Sequence, residues 1–201
     1  MPLRSLTGYS SAPPLVGVTP YINIQDVKAD GTSGGAFTAG AWQTRTLNTI
    51  VSNVGGYAAL AANQISLAPG IYQCDITAPG YGVNDHVARL QNITTATTIA
   101  SGSSGRSSGS SSHEVSRIRS YFTLTSLSIL EIQHWCETTN GTDGFGRASN
   151  FVTDNEVYTV AEFWKVDGLT TPPPVGDFTV VTASPFPYIN IQHQLAQNTA
   201  G

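Results

Sequence analysis

The sequence predicts an all-β protein built as a β-sandwich, and three observations support this class. Short segments of alternating apolar and polar residues recur with turn signals between them, roughly every 8–12 residues. No stretch sustains the period of an amphipathic helix. Apolar residues make up 40% of the chain and charged residues 11%, so the composition can fill a core but lacks the Lys- and Glu-rich surface typical of helical proteins.

The strands are predicted from this alternation, which turns one side of each segment toward the core. In the first strand, 21–27, Ile22 and Ile24 alternate with Asn23 and Gln25. The later segments with strand character are 42–51, 71–77, 86–93, 117–126, 128–137 and 156–166. The inward positions in two of them are Tyr72, Cys74 and Ile76, and Ile118, Phe122 and Leu124. Because 128–137 follows 117–126 almost at once, we expect these two to form a hairpin.

Loops and turns are predicted where Gly, Ser, Asn, Asp and Pro cluster. These segments are 30–35, 79–82 (PGYG), 101–112 (SGSSGRSSGSSS) and 138–150. The Ser/Gly tract at 101–112 has nothing to bury, so we expect a solvated loop. Segment 55–64 is compatible with either a loop or one helical turn.

The chain is expected to contain one domain, residues 20–167, between two arms. Residues 1–19 carry three prolines and no period, which predicts an extended arm. DGLTTPPPVG, 167–176, predicts an extended spacer, and 168–201 then forms a second arm with strand character.

The phrase PYINIQ occurs twice, at Pro20–Gln25 and Pro187–Gln192. The first copy opens the domain. The second lies in the C-terminal arm, where Ile189 and Ile191 need a sheet to cover them, because an isolated strand is unstable. We expect it to pair with a sheet edge, either of a neighbouring subunit or of its own domain. The alternative is a coincidence between two strands that share a common alternating pattern.

The last strand, 156–166, is apolar on both faces, which normally means that both are covered. One face carries Val157, Ala161 and Phe163. The other carries Tyr158, Val160, Trp164 and Val166. A two-sheet sandwich covers only one face of each sheet, so the second set predicts a subunit interface. The alternative is that an arm of the same chain covers it.

Composition and charge exclude several classes of protein. The net charge is −4 and the nine Lys and Arg are scattered, so no nucleic-acid surface is expected. No apolar run reaches the length of a signal peptide or of a membrane span, which predicts a protein made and kept soluble in a cytoplasm. With only Cys74 and Cys136, we expect two buried free thiols rather than a disulfide framework.

No motif predicts a catalytic, metal or cofactor site. GRSSG, 105–109, matches G-x-S-x-G at Ser107, but that motif needs a strand before the serine and a helix after it. His134 and Cys136 share a strand face, yet a zinc site needs three or four ligands. Asp143 and Asp154 lack the regular spacing of a calcium loop, so turn chemistry accounts for them.

Several motifs together resemble a known family. Trp42, Arg45, Leu47 and Asn48, followed by PGIYQCDI (69–76) and EFWKV (162–166), are similar to the complement-globular-head and tumour-necrosis-factor-like jelly roll. QTRTLNT (43–49), HVARLQNIT (86–94), LEIQHWC (130–136), GFG (144–146) and EVYT (156–159) resemble phage-encoded virion proteins with that jelly roll. The resemblance implies a jelly-roll sandwich that assembles as a three-fold trimer, with a binding or structural role and no chemistry.

The leading hypothesis is therefore a non-enzymatic virion protein of a tailed phage, made in the host cytoplasm, that decorates or cements the capsid. Its expected partners are two further copies of itself and the major capsid protein or another virion protein, with no nucleic acid, membrane insertion or cofactor. The residues expected to dock the arms are Leu3, Leu6, Tyr9, Tyr188, Ile189 and Ile191.

Three other hypotheses remain. A tail-fibre or receptor-binding tip would contact a host surface receptor through loops 101–112 and 138–150. A hydrolase would use Ser107, or a metal at His134. A secreted cytokine-like ligand is the fourth, and the absence of a signal peptide speaks against it.

Overall fold

The computed structural model describes residues 20–108, 112–150 and 153–166. The predicted arms, 1–19 and 168–201, lie outside the described residues, and so do their six proposed docking residues and the domain boundary at 167. No helix in the described part of the chain has the length and apolar character needed to cross a membrane.

The described residues form two antiparallel sheets. The strands are β1 (Tyr21–Lys28), β2 (Gln43–Thr44), β3 (Thr49–Asn53), β4 (Ala58–Ala61), β5 (Gln64–Leu67), β6 (Gly70–Tyr81), β7 (Asn84–Asn92), β8 (Thr97–Ser101), β9 (Gly105–Ser107), β10 (His113–Leu124), β11 (Ser128–Cys136) and β12 (Glu156–Lys165). One sheet has the order β10-β6-β12-β1-β3. The other has the order β4-β5-β11-β7-β8, with β2 beside β11 and β9 beside β7. Successive strands such as β10 and β11 lie in different sheets, and the jelly-roll sandwich predicted from the sequence is confirmed.

The core lies between the inner faces of the two sheets, as the alternation predicts. Inward residues with 0–1% exposure include Ile22, Ile24, Tyr72, Cys74, Ile76 and Ile118 from one sheet and Ile65, Leu67, Leu90, Leu130 and Ile132 from the other. Of the remaining predicted core positions, Leu124 is buried and Phe122 packs against the core half-buried. Burial of such side chains stabilises the fold by about 1.5–3 kcal/mol each.

The predicted strand 42–51 is divided in two. β2 pairs with β11 in the seven-stranded sheet, whereas β3 pairs with β1 in the five-stranded sheet. Between them the Arg45 N–H donates to Ile132 O (2.8 Å) and the Asn48 N–H donates to Gln25 O (3.0 Å). The segment therefore crosses from one sheet to the other, and its backbone N–H groups find partners in both sheets.

The predicted hairpin of 117–126 with 128–137 is wrong. β10 pairs with β6 along its whole length, and β11 pairs with β5, β7 and β2. The linking residues Thr125, Ser126 and Leu127 include no Gly or Asn for the tight turn that a two-stranded hairpin favours. The chain crosses to the opposite sheet instead.

Three loop assignments also need correction. Segment 55–64 contains β4 and leads into β5 through Ala62 and Asn63, whose φ angles of 51° and 65° fit a tight hairpin turn. PGYG is not a turn, because β6 continues through it to Tyr81. Within 101–112, β9 pairs with β7 and Ser107 is fully buried.

A fully buried arginine links the two sheets and a loop. Arg45 Nε donates to Thr159 Oγ1 (2.7 Å), Nη1 to Pro79 O (3.0 Å) and Nη2 to Phe145 O (2.8 Å). The guanidinium also lies 4.0 Å above the Phe145 ring. Burial lowers the pKa of Arg45 to about 9, and the charge of Asp26 opposes this shift. Three hydrogen bonds compensate the buried cation for its lost hydration.

Replacing Arg45 with Ala is expected to lower the free energy of unfolding by about 3–5 kcal/mol, since it removes three buried hydrogen bonds and leaves the Pro79 and Phe145 carbonyls without this donor. Urea unfolding followed by far-ultraviolet circular dichroism measures this loss. The matched control is Arg106→Ala, whose side chain is 65% exposed and whose loss should change stability by less than about 0.5 kcal/mol. Equal effects of the two substitutions would contradict this role of Arg45.

A pair of buried histidines lies at the same end of the core. His86 Nδ1 and His134 Nε2 are 3.0 Å apart, and His134 also packs against Phe37. Burial, followed by the charge of Arg45, lowers the pKa of both imidazoles below the usual 6.5. Both rings are therefore neutral in the native state at neutral pH, and one donates to the other.

We predict that stability declines as pH falls below about 6.5, because the unfolded histidines bind protons there and the native pair does not. The Asp26 carboxyl, whose pKa burial raises, acts in the opposite direction, so the comparison must be with a variant. Thermal unfolding of the protein and of His134→Gln from pH 7.5 to 5 should give a flatter profile for the variant. Parallel profiles would mean that the pair does not control this dependence.

Candidate assembly interface

The predicted interface lies on β12, at the centre of the five-stranded sheet between β6 and β1. Ala161 and Phe163 point inward and are fully buried. Val160, Glu162 and Trp164 point outward and are half-buried. From Val160 onward the two faces of the strand are therefore divided as the sequence predicts.

Tyr158 differs from the other three predicted interface residues. Gln25 pairs with Val160 and Val27 pairs with Val157, so β12 carries one extra residue, a bulge, opposite Asp26. This bulge breaks the alternation along β12, and Val157 is 47% exposed whereas Tyr158 is only 7% exposed. The Tyr158 hydroxyl donates to Thr32 O (2.8 Å). A side chain at Gly146 would collide with the Tyr158 ring, which explains the glycine there. Tyr158 is thus covered by its own chain, and the outer face is represented by Val160, Trp164 and Val166.

Apolar side chains from neighbouring strands extend this outer face. Tyr21 pairs with Trp164, and the two rings lie 5.5 Å apart. The Val166 N–H donates to Ile71 O (2.8 Å), which sets these two residues side by side. Ile71 is 41% exposed and Tyr121, on β10, 65% exposed. Within the described residues, the face therefore carries an apolar set: Tyr21, Ile71, Tyr121, Val160, Trp164 and Val166.

The charged groups on this face already have partners in the same chain. Arg117 and Arg119 both donate to the Asp75 carboxylate, with Nε–O distances of 2.7 and 3.0 Å. The hydrogen bond from Arg117 lowers the pKa of Asp75 below its usual range. Glu162 accepts a hydrogen bond from the Tyr21 hydroxyl. Another subunit could cover the face without leaving either carboxylate unpaired, and unpaired buried charge is the usual obstacle to such burial.

Sequence reasoning missed Tyr21, Ile71 and Tyr121 as members of this face, although the signal was present. Tyr72, Cys74 and Ile76 were predicted to point inward, so their neighbour Ile71 had to point outward. By the same alternation, Tyr121 points outward because its neighbour Phe122 was predicted to point inward. What the sequence could not supply was the order β10-β6-β12-β1, which brings these outward residues together.

The residues weighed for chemistry do not form a reactive constellation. Ser107 is fully buried, and its hydroxyl accepts a hydrogen bond from the Val83 N–H (3.1 Å). His134 contacts His86, which lies on the neighbouring strand β7. Among the described residues, no three His, Cys, Asp or Glu side chains converge on a possible metal position. Cys74 and Cys136 are free and buried, and burial raises the pKa of each thiol to about 11.

Comparisons with known proteins found similar folds and no sequence family. No family model matches the chain, and no curated protein matches it significantly. Similar solved structures include murine APRIL at pH 5.0, with 10% identity, TM-score 0.49 and coverage of 74% of this chain and 100% of that chain. The zebrafish complement 1qA globular domain has 15% identity, TM-score 0.48 and coverage of 74% and 98%. PRD1 vertex protein P5 has 18% identity, TM-score 0.47 and coverage of 75% and 99%.

We predict that Val160→Arg prevents self-association while leaving the fold intact, because it places an unpaired charge in the middle of the apolar face. The matched control is Ile129→Arg, at an exposed apolar residue on β11 in the other sheet. Sedimentation velocity should give a smaller species only for the Val160 variant, with unchanged circular dichroism for both. If both variants sediment like the parent protein, the interface lies elsewhere.

Proposed function

We propose that the protein is a non-enzymatic virion structural protein of a tailed phage, a homotrimer that decorates or cements the capsid through its arms. The observation that carries the proposal is the outer face of the five-stranded sheet. It combines exposed apolar side chains with charges that are paired inside the chain, a composition suited to burial between subunits. The virion assignment rests on the motif resemblance in the sequence.

Self-association through this face gives a particle with several attachment points. A trimer carries three copies of each arm, and linking weak contacts raises overall affinity without any strong single contact. Extended segments bind by adding a strand to an exposed sheet edge, where main-chain hydrogen bonds supply affinity. A compact domain with two such arms fits the task of holding neighbouring capsid subunits together.

The first PYINIQ copy supports a docking role for the second. Just before β1, Pro20 O accepts from the Lys165 N–H (3.1 Å). Within β1, Ile22 and Ile24 are fully buried, and Gln25 O accepts from the Asn48 N–H (3.0 Å). The regular pairing of β1 with β12 ends at Gln25, where the bulge begins. The repeat ends at the same position, since Asp26 follows the first copy whereas His193 follows the second. The repeated phrase therefore matches the part of β1 that pairs regularly with β12.

A tail-fibre or receptor-binding tip is the second candidate, and loop 138–150 favours it. Residues 138–143 line an open groove of about 620 Å³ together with Tyr81, Asn84 and Arg147. The loop is held in place by the Phe37–Asn140 bridge and by the hydrogen bond from Asn140 Nδ2 to Tyr81 O (3.0 Å). Adsorption to host cells that blocks infection would support this candidate over capsid decoration.

The direct test of the proposal is binding to phage heads assembled without the protein. The full-length chain is mixed with such heads, and the heads are pelleted. Decoration predicts that the protein sediments with the heads and saturates at a fixed ratio to the capsid protein. Protein that remains in the supernatant at all concentrations would rule out the capsid role.

Deletion of residues 168–201 is expected to leave a folded, self-associated domain that no longer sediments with heads, because the described residues themselves supply a core between two sheets. A finer variant is Ile189→Asp with Ile191→Asp, which removes the apolar face of the second PYINIQ copy. The corresponding change at Ile22 and Ile24 should instead unfold the domain, since both are fully buried. Unfolding of the deletion variant would show that the C-terminal segment belongs to the core.

A further inference from the structure

A groove of about 640 Å³ opens on the outer face of the seven-stranded sheet. It forms where the strand alongside β7 is interrupted. β8 pairs with β7 over Arg89–Asn92, and β9 pairs with it over Asn84–His86. Between the two, Ser103 turns to the other sheet, where its N–H donates to Arg117 O (2.9 Å). Because neither β8 nor β9 pairs with Val87, this residue forms part of the base of the groove.

Trp135 supplies an aromatic wall of this groove. It pairs with Val87 across β11 and β7, and it is 37% exposed. Trp42 packs against it edge to face, with ring centroids 5.9 Å apart. Arg89 lies 4.0 Å above the Trp42 ring and donates to Gln133 Oε1 (2.7 Å), which fixes this support. The indole is therefore held by its neighbours while part of its surface stays open to a ligand.

The opposite side of the groove is polar. Asp85 and Arg106 form an ion pair (3.3 Å) in which the two side chains are 61% and 65% exposed. Glu137 lines the groove beside them, and its Oε2 accepts from the Asp85 N–H (3.4 Å). A carboxylate and a guanidinium side by side offer acceptors and donors at a spacing that suits adjacent hydroxyl groups.

We propose that this groove binds a neutral saccharide, with a sugar ring stacked on Trp135 and its hydroxyl groups bonded to Asp85, Arg106 and Glu137. A pyranose has an apolar C–H face and a polar rim, which match an indole beside a paired carboxylate and guanidinium. A volume of about 640 Å³ lies within the range of roughly 300–1,000 Å³ common for small-ligand sites. The inference is independent of the proposed virion role, because it rests only on the opposite sheet.

Charge decides between neutral and acidic sugars. Two carboxylates and one guanidinium line the groove, and the guanidinium is already paired with Asp85. An acidic sugar would meet a net negative site without a free cation, and like charges at this range repel. The groove is therefore expected to bind neutral sugars better than acidic sugars.

The test is saturation-transfer difference NMR on the full-length protein. The probes are the methyl glycosides of glucose, galactose, mannose and N-acetylglucosamine, with methyl glucuronide as the charged counterpart of the glucoside. We expect signal on the ring C–H protons of at least one neutral glycoside and a weaker signal for the glucuronide. Trp135→Ala should weaken binding by at least about tenfold, whereas Ile129→Ala, an exposed residue on the same strand, should leave it unchanged.

Three outcomes would overturn the inference. They are the absence of signal for every neutral glycoside, a signal that Trp135→Ala leaves intact, and a preference for the glucuronide. Because Trp135 is exposed, its replacement is expected to preserve the fold, and a circular dichroism spectrum identical to that of Ile129→Ala confirms this. A protein that self-associates but binds no saccharide would refute only the proposed saccharide site. A monomer that binds saccharide would refute only the proposed trimer.

Discussion

The hydrogen bonds of Arg45 are the constraint on which the described structure depends. The residue belongs to the segment that crosses between the sheets, so its backbone N–H is bound to Ile132 in one sheet and its side chain to Thr159 and Pro79 in the other. Its third bond, to Phe145 O, holds the loop that covers Tyr158. A cation without water must keep all these partners. The spacing of the sheets and the position of the loop at this end are therefore coupled through one side chain.

The inner and outer faces of β12 have different surroundings. Thr159, Ala161 and Phe163 are committed to the core, and Tyr158 to the loop. Val160 and Trp164 remain on the outside, beside charged side chains that are hydrogen-bonded within the sheet. The two sheets thus differ in what their outer faces offer. One carries an apolar surface suited to a subunit, and the other a narrow groove with one indole and a polar rim.

Local pattern was enough to predict the sandwich, the inward residues of β1, β6 and β10, and the outward direction of Val160 and Trp164 on β12. It was not enough where long-range pairing decides the outcome. The crossing at residues 45–48 depends on partners in β11 and β1, and the placement of β11 depends on β5 and β7. The bulge between Val157 and Val160 becomes visible only in the pairing of β12 with β1, so simple alternation within β12 could not show that Tyr158 would be buried. The contact of His86 with His134 joins residues 48 positions apart for the same reason.

The mass of the full-length protein in solution tests the central claim most directly. If the outer face of the five-stranded sheet is a three-fold interface, light scattering coupled to size exclusion will give three times the 21.2 kDa of one chain, constant over a wide range of concentration. The exposed apolar side chains around Val160 and Trp164 would then be covered by neighbouring subunits. A constant mass of one chain would contradict the account, because that face would be permanently open to water.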